Sequence, residues 1–201
     1  MPSDSDWLLL GPYFYDRAMF RNDLMYELSN QMGRYAARTQ FVEVYANSNG
    51  GDLSSNDFVG LYSFTESIKR GSDRVDIERM YPNATAEPEI DGGYIIVIDA
   101  LCWVSCPPQQ TEVYFQSSRG LPSNDSFYVH NYPGKDAITL DQRIYVENYI
   151  EAFEDALYGP NFTDPDLGYA AFIDVDSFVD GHWLGQIAKN EDNLVHSTYF
   201  H

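Results

Sequence analysis

Lysine is scarce. Lys69, Lys135 and Lys189 are the only three in 201 residues, and with nine arginines they face 31 carboxylates, a formal net charge of −19. A field of that sign repels phosphate backbones and anionic headgroups, so nucleic-acid and anionic-membrane binding are disfavoured. Carboxylates with arginine rather than lysine suit salty or extracellular water, a reading from composition that leaves the location open between the cell surface or exterior and elsewhere. Long apolar runs are missing too. No stretch approaches the roughly 18–20 residues that span a bilayer. The longest, such as Tyr94 to Ile98, are strand-sized, so the chain reads as soluble with no membrane span. The segment Met1 to Trp7 has neither the basic start nor the apolar stretch of a signal peptide.

Cysteine is nearly absent. Cys102 and Cys106 stand in Cys-Trp-Val-Ser-Cys with no histidine nearby, which rules against a structural zinc site and leaves either a small disulfide loop or free thiols. The phosphate loop, the dinucleotide Gly-x-Gly-x-x-Gly, His-Glu-x-x-His and Gly-x-Ser-x-Gly are all missing, so four familiar enzyme classes lose their simplest support. The four histidines, His130, His182, His196 and His201, form no metal-binding pair on one helix face and read as surface or edge residues.

What is present is one domain's worth of core: 44% hydrophobic and 15% aromatic residues. Asp16 is placed to cap a helix over 17–32, where Phe20, Leu24, Leu28 and Met32 recur every fourth residue and Gly33 follows as a stop. That stripe should pack on a core. Arg38 to Ala46 and Phe58 to Phe64 read as an antiparallel hairpin with a long polar loop, and Arg74 to Ile77 as a further short strand. Gly93 to Asp99 is apolar on both faces, hence a central strand. Glu112 to Gln116 and Phe127 to Tyr132 look like an insertion or a pair of edge strands. Thr139 and Gln142 form a capping box ahead of Val146, Tyr149, Ile150, Phe153 and Leu157, with Gly159 ending that helix. A last helix, capped at Asp174 or Asp176, carries Phe178, Val179, Leu184 and Ile187, and Gly181 and Gly185 weaken it by up to about 1 kcal/mol each relative to alanine. The class is α+β, with a sheet-rich first part and a helical last part.

Three features bear on chemistry. Asn83-Ala-Thr85, Asn124-Asp-Ser126 and Asn161-Phe-Thr163 are glycosylation sequons, surface glycan sites in a chain that passes through a eukaryotic secretory route. Lys189-Asn190-Glu191-Asp192 places a carboxylate where a helix gives way to an extended segment. Phosphoryl transfer needs such a group beside the attacking hydroxyl, to orient it and accept its proton. A helix-terminal aspartate bonded to its own turn is the other reading of the same spacing. The acidic, aromatic composition also admits a carbohydrate-active protein, since glycoside hydrolysis uses a carboxylate pair.

The order of segments resembles the CotH-type spore coat kinases, a family of atypical protein kinases. The resemblance runs through Trp7 to Leu10, Arg21 to Leu28, Arg38 to Tyr45, Phe58 to Tyr62, Thr65 to Lys69, Asp73 to Ile77 and Gly93 to Asp99. It resumes at Tyr149 to Gly159, Tyr169, Ile173 to Phe178, Lys189 to Asp192 and Ser197 to Phe200, and is weakest over about 100–130.

The resemblance implies a single kinase-like domain over 1–201 that transfers phosphate from ATP, with Mg2+ or Mn2+, to serine or threonine of a protein substrate. Asp192 matches the catalytic aspartate and Asn190 supports the same loop. Glu66 and Lys69 fall in the segment that passes near the nucleotide. The first helix takes the regulatory-helix place, with Glu27 either the partner of a phosphate-binding lysine or a surface residue. In the kinase template a metal-holding asparagine lies five residues beyond the catalytic aspartate; here that residue is Ser197. Gly181, Gly185 and Leu194-Val195-His196 also depart from the family's pattern around its catalytic loop. An Arg-Gly-Asn-Ser stretch and a lysine-rich strand before Trp7, and a Trp-Asp segment after His201, are expected of the family. The expectation is therefore a domain incomplete at both ends: a fragment, a degenerate copy, or a surface or interaction module on the same scaffold.

Overall fold

The computed structural model describes residues 3–14, 16–100 and 113–201. Cys102, Cys106 and Glu112 lie outside the described residues. The chain divides into two compact units, 1–68 and 69–201.

In the first unit, β1 (Trp7–Leu10), β2 (Thr39–Tyr45) and β3 (Phe58–Glu66) form an antiparallel sheet in the order β1-β3-β2. The hairpin of β2 and β3 is as expected, with Phe41 opposite Ser63 and a register shift at Val44/Tyr45. Its loop ends on a capping box, in which Ser54 and Asp57 exchange side-chain and backbone bonds. Trp7 stacks on Phe64 at 4.8 Å between ring centroids.

The helix α1 (Arg21–Gln31) starts four residues later than expected. Met19 takes a left-handed backbone (φ 60°), so the chain cannot run helical from residue 17. Asp16 still serves the helix, but from outside it: its carboxylate accepts the N–H groups of Ala18, Phe20 and Arg21. Burial alone would raise the pKa of Asp16; the three backbone bonds and the Arg21 guanidinium outweigh it and hold the group below its usual value. Gly33, at φ 82°, ends the helix as expected. The expected stripe does not face a core. Phe20, Leu24 and Met32 are all exposed, and the helix meets the sheet through Asp23, which accepts the Ser63 hydroxyl at 2.7 Å.

The second unit carries β4 (Ile95–Ala100), β5 (Tyr114–Phe115), β6 (Ser126–Tyr132) and β7 (Thr198–Phe200) in the order β5-β6-β4-β7. Of these strands, β4, β5 and β6 lie where strands were expected, and β7 alone falls in the part expected to be helical. Ile95 to Ile98 are buried on both faces, as a central strand requires. The expectation of two edge strands fails for β6, which lies between β5 and β4 with Tyr128, Val129 and His130 buried. Arg74 to Ile77 is not a strand; one isolated bridge, Arg70 with Val75, stands there instead.

The helix α2 (Leu140–Tyr158) begins at the expected Thr139–Gln142 capping box and ends at Gly159. Gln142 does a second task. Fully buried, it donates to the carbonyls of Tyr81 (2.7 Å) and Ala84 (3.2 Å), fastening the 81–84 turn to the helix. Val146 joins Ile96, Ile98 and Tyr128 in the core, with Phe115, Ile150 and Phe200 packed around them. Burying one such isoleucine contributes about 2–3 kcal/mol. The 117–119 segment is latched to α2 by carboxylates: Glu154 accepts the Ser117 and Tyr128 hydroxyls, and Asp155 pairs with Arg119 at 2.7 Å. The helix α3 (Val175–Ala188) is capped by Asp174, which accepts the Ser177 N–H.

Candidate functional site

The candidate site is the loop between α3 and β7. Lys189 stops α3 by taking a left-handed backbone (φ 52°), and its N–H caps the Gln186 carbonyl while the Asn190 N–H bonds the Gly185 carbonyl. The chain then turns on Asn190, whose Oδ1 accepts the N–H of Asp192 at 3.1 Å. The Asp192 carbonyl accepts two N–H groups, Val195 at 2.9 Å and His196 at 2.8 Å. Its backbone is thus held on both sides. Its carboxylate is exposed, and among the described residues it meets no hydrogen-bond or ion-pair partner. An aspartate engaged only in ending its helix would spend its side chain on the turn; here Asn190 does that work.

Other elements fix the loop from outside. Ser126, fully buried on β6, donates its hydroxyl to the Val195 carbonyl at 2.6 Å. Asn193 lies over the α-carbon of Gly185, so close that a Cβ at Gly185 would come within 2.6 Å of Asn193 Nδ2. Asp99, at the end of β4, has one oxygen 3.9 Å from His196 Nδ1, and its other oxygen accepts the Ser197 hydroxyl at 3.4 Å. Leu194 (φ 61°) and Ser197 (φ 51°) share the left-handed region with Lys189, three non-glycine residues in nine. Such positions cost of order 1 kcal/mol or more each and persist where surrounding contacts over-determine them.

Asn190, Asp192 and Ser197 stand in this one loop, and Asp99, Ser126 and Asn193 support it. The signal for Asp99 was a carboxylate closing the apolar run Tyr94 to Ile98. Ser126 and Asn193 carried none, because their roles depend on which strand and helix come to lie beside the loop.

Of the other named residues, Glu27 and Glu66 belong to the first unit and Lys69 to the second. Glu66, at the end of β3, is buried and committed to Arg38: its Oε1 takes the guanidinium at 2.7 and 2.8 Å, and its Oε2 accepts the Arg38 backbone N–H at 3.0 Å. Lys69 opens the second unit, half-buried, with its carbonyl accepting the Val75 N–H. Glu27 is exposed and accepts from Gln31.

His130 corrects the reading of histidines as surface or edge residues. It is 4% exposed on an internal strand, beside the Phe115 ring, and neither ring nitrogen has a hydrogen-bond partner among the described residues. Burial, with a smaller push from the Arg143 charge, lowers its pKa to about 4.

No three His, Cys, Asp or Glu side chains among the described residues converge to hold a metal, and where the kinase template has asparagine the Ser197 hydroxyl is turned onto Asp99. Nor is any described helix long and apolar enough to cross a membrane.

No curated protein and no solved structure matches the chain significantly. The family model described as CotH kinase protein does match, over residues 2–201, and the chain belongs to that family.

Proposed function

We propose that this chain carries the phosphoryl-transfer scaffold of a CotH-like protein kinase, as a fragment or degenerate copy, with Asp192 as the carboxylate that orients a substrate serine or threonine hydroxyl and accepts its proton. The observation that supports this reading is the presentation of Asp192. Its carboxylate is exposed while its backbone is fixed by Asn190, Val195 and His196 in a loop that holds three residues in the left-handed region. A base is useful only if it stays within hydrogen-bond reach of the proton it removes. The Glu66–Lys69 segment is assigned to the neighbourhood of ATP, with Glu66 bracing it through Arg38. The substrate is taken to be a protein.

A second reading is favoured by Ser197. With that hydroxyl on Asp99 and no metal-ligand cluster among the described residues, the same scaffold could serve as a surface or interaction module that transfers no phosphate.

One experiment separates them. Melting is followed with and without ATP and Mg2+ or Mn2+, beside transfer of labelled γ-phosphate to a generic protein acceptor. A competent site is stabilised by ligand mass action, and Asp192→Asn lowers transfer by orders of magnitude with melting unchanged. Transfer retained by Asp192→Asn removes Asp192 from the mechanism. Neither stabilisation nor transfer leaves the non-catalytic module.

A further inference from the structure

We propose that Asn83, Asn124 and Asn161 are acceptors for N-linked oligosaccharide, so that the second unit is a glycan-bearing body when the chain is translocated. Each stands in an Asn-x-Ser/Thr sequon, completed by Thr85, Ser126 and Thr163. A sequon alone is a weak signal; its setting makes it stronger.

All three asparagines are exposed, and none is in a helix or strand. Each belongs to a tight turn closed by a backbone bond: Ala84 N–H to the Tyr81 carbonyl at 3.0 Å, Ser126 N–H to the Ser123 carbonyl at 3.1 Å, and Asp164 N–H to the Asn161 carbonyl at 2.9 Å. A bulky hydrophilic modification there covers no core residue and breaks no ladder bond. Other exposed asparagines, among them Asn22, Asn49, Asn56 and Asn131, are followed at the second position by Leu24, Gly51, Phe58 and Pro133, and are internal controls.

The step is a group transfer from a lipid-diphosphate-linked oligosaccharide. The Asn Nδ2 forms a bond to C1 of the reducing-end sugar, the bond from C1 to the diphosphate oxygen breaks, and the lipid diphosphate leaves with the electron pair. One amide proton is released. The sequon hydroxyl is the recognition element and is not consumed; at Asn124 it is that of Ser126, which the fold buries on the Val195 carbonyl, so transfer at this site precedes folding of the second unit.

Two of the sites have neighbours of interest. Asn83 lines a cavity of about 450 Å³ with Glu78, Arg79, Tyr81 and Asp91. Asn124 is two residues from Ser126, the residue that holds the Val195 carbonyl, so a glycan there would flank the candidate loop.

The full chain is directed into the secretory pathway of a eukaryotic cell behind a cleavable leader, and material from medium and lumen is compared before and after peptide-N-glycosidase. Three mobility steps collapse to one band, and enzymatic release converts Asn83, Asn124 and Asn161 to aspartate in the mass spectrum, leaving Asn22, Asn49, Asn56 and Asn131 unchanged. Asn83→Gln, Asn124→Gln and Asn161→Gln each remove one step. Thr85→Ala and Thr163→Ala remove the corresponding steps with the asparagine in place, and Thr85→Ser restores its own. Unaltered mobility, while a co-expressed glycoprotein shifts normally, overturns the proposal. An unconverted asparagine overturns it for that site.

Discussion

Acidification should weaken the second unit through His130 in particular. Above about pH 6.5, the reference value for the exposed side chain, the imidazole is neutral in both folded and unfolded chains. In the folded unit its pKa is lowered to about 4 by burial, with Arg143 contributing less. Between those values the unfolded chain binds more protons, so stability falls as pH drops through that window. At about 1.36 kcal/mol per pKa unit, the descent from neutrality to about pH 5 withdraws about 2 kcal/mol through this one group. His130→Phe should behave differently on two counts. At pH 7.5 it removes two ring nitrogens that have no hydrogen-bond partner among the described residues, and should be more stable than the parent by about 1 kcal/mol. At pH 5 that advantage should widen by about 2 kcal/mol. Urea unfolding is read by fluorescence in a Trp7→Phe background, where the remaining tryptophans all belong to the second unit. Parallel stability curves for the parent and His130→Phe from pH 7.5 to 5 would refute the reasoning.

The two glycines of α3 should answer alanine in opposite ways. At Gly181 an added Cβ meets nothing within 4 Å, so Gly181→Ala should stabilise by up to about 1 kcal/mol in thermal or urea unfolding. At Gly185 the Cβ would come within 2.6 Å of Asn193 Nδ2, so Gly185→Ala should lose that gain, and adding Asn193→Ala should recover it. Glu66→Gln replaces a buried charged partner of Arg38 and should cost about 2 kcal/mol, with early loss of protection in β2 and β3 by hydrogen exchange. An unchanged exchange pattern would show that the pair adds little to the first unit.

Legibility followed the range of the interactions. The α2 boundaries were readable because both ends are set locally, by Thr139 with Gln142 and by Gly159. So was the β2–β3 hairpin, and so was β4, whose run of isoleucine and valine fits burial on two faces. The stripe Phe20, Leu24, Met32 is misleading because periodicity reports amphipathicity and not which face meets protein; Asp23, outside the stripe, is the residue bonded to Ser63 of the sheet. His130 was misjudged because β6 became internal only through pairing with β4 on one side and β5 on the other. At the site, Asp192 and Asn190 were visible as one short motif. The roles of Asp99 and Ser126 were not, since these residues reach the loop from about 93 and 66 residues away, and Asn193, although next to Asp192, takes its role from packing on Gly185.

The left-handed residues Lys189, Leu194 and Ser197 carry a practical consequence. The backbone shape they impose is supported by groups beyond the loop: the Ser126 hydroxyl, the Asp99 carboxylate and the Gly185 surface. A synthetic peptide spanning 189–198 would have none of that support and would relax to right-handed or extended conformers. Antibodies raised against such a peptide should recognise denatured chain and miss the native fold, so binders to this loop need to be selected on the intact protein.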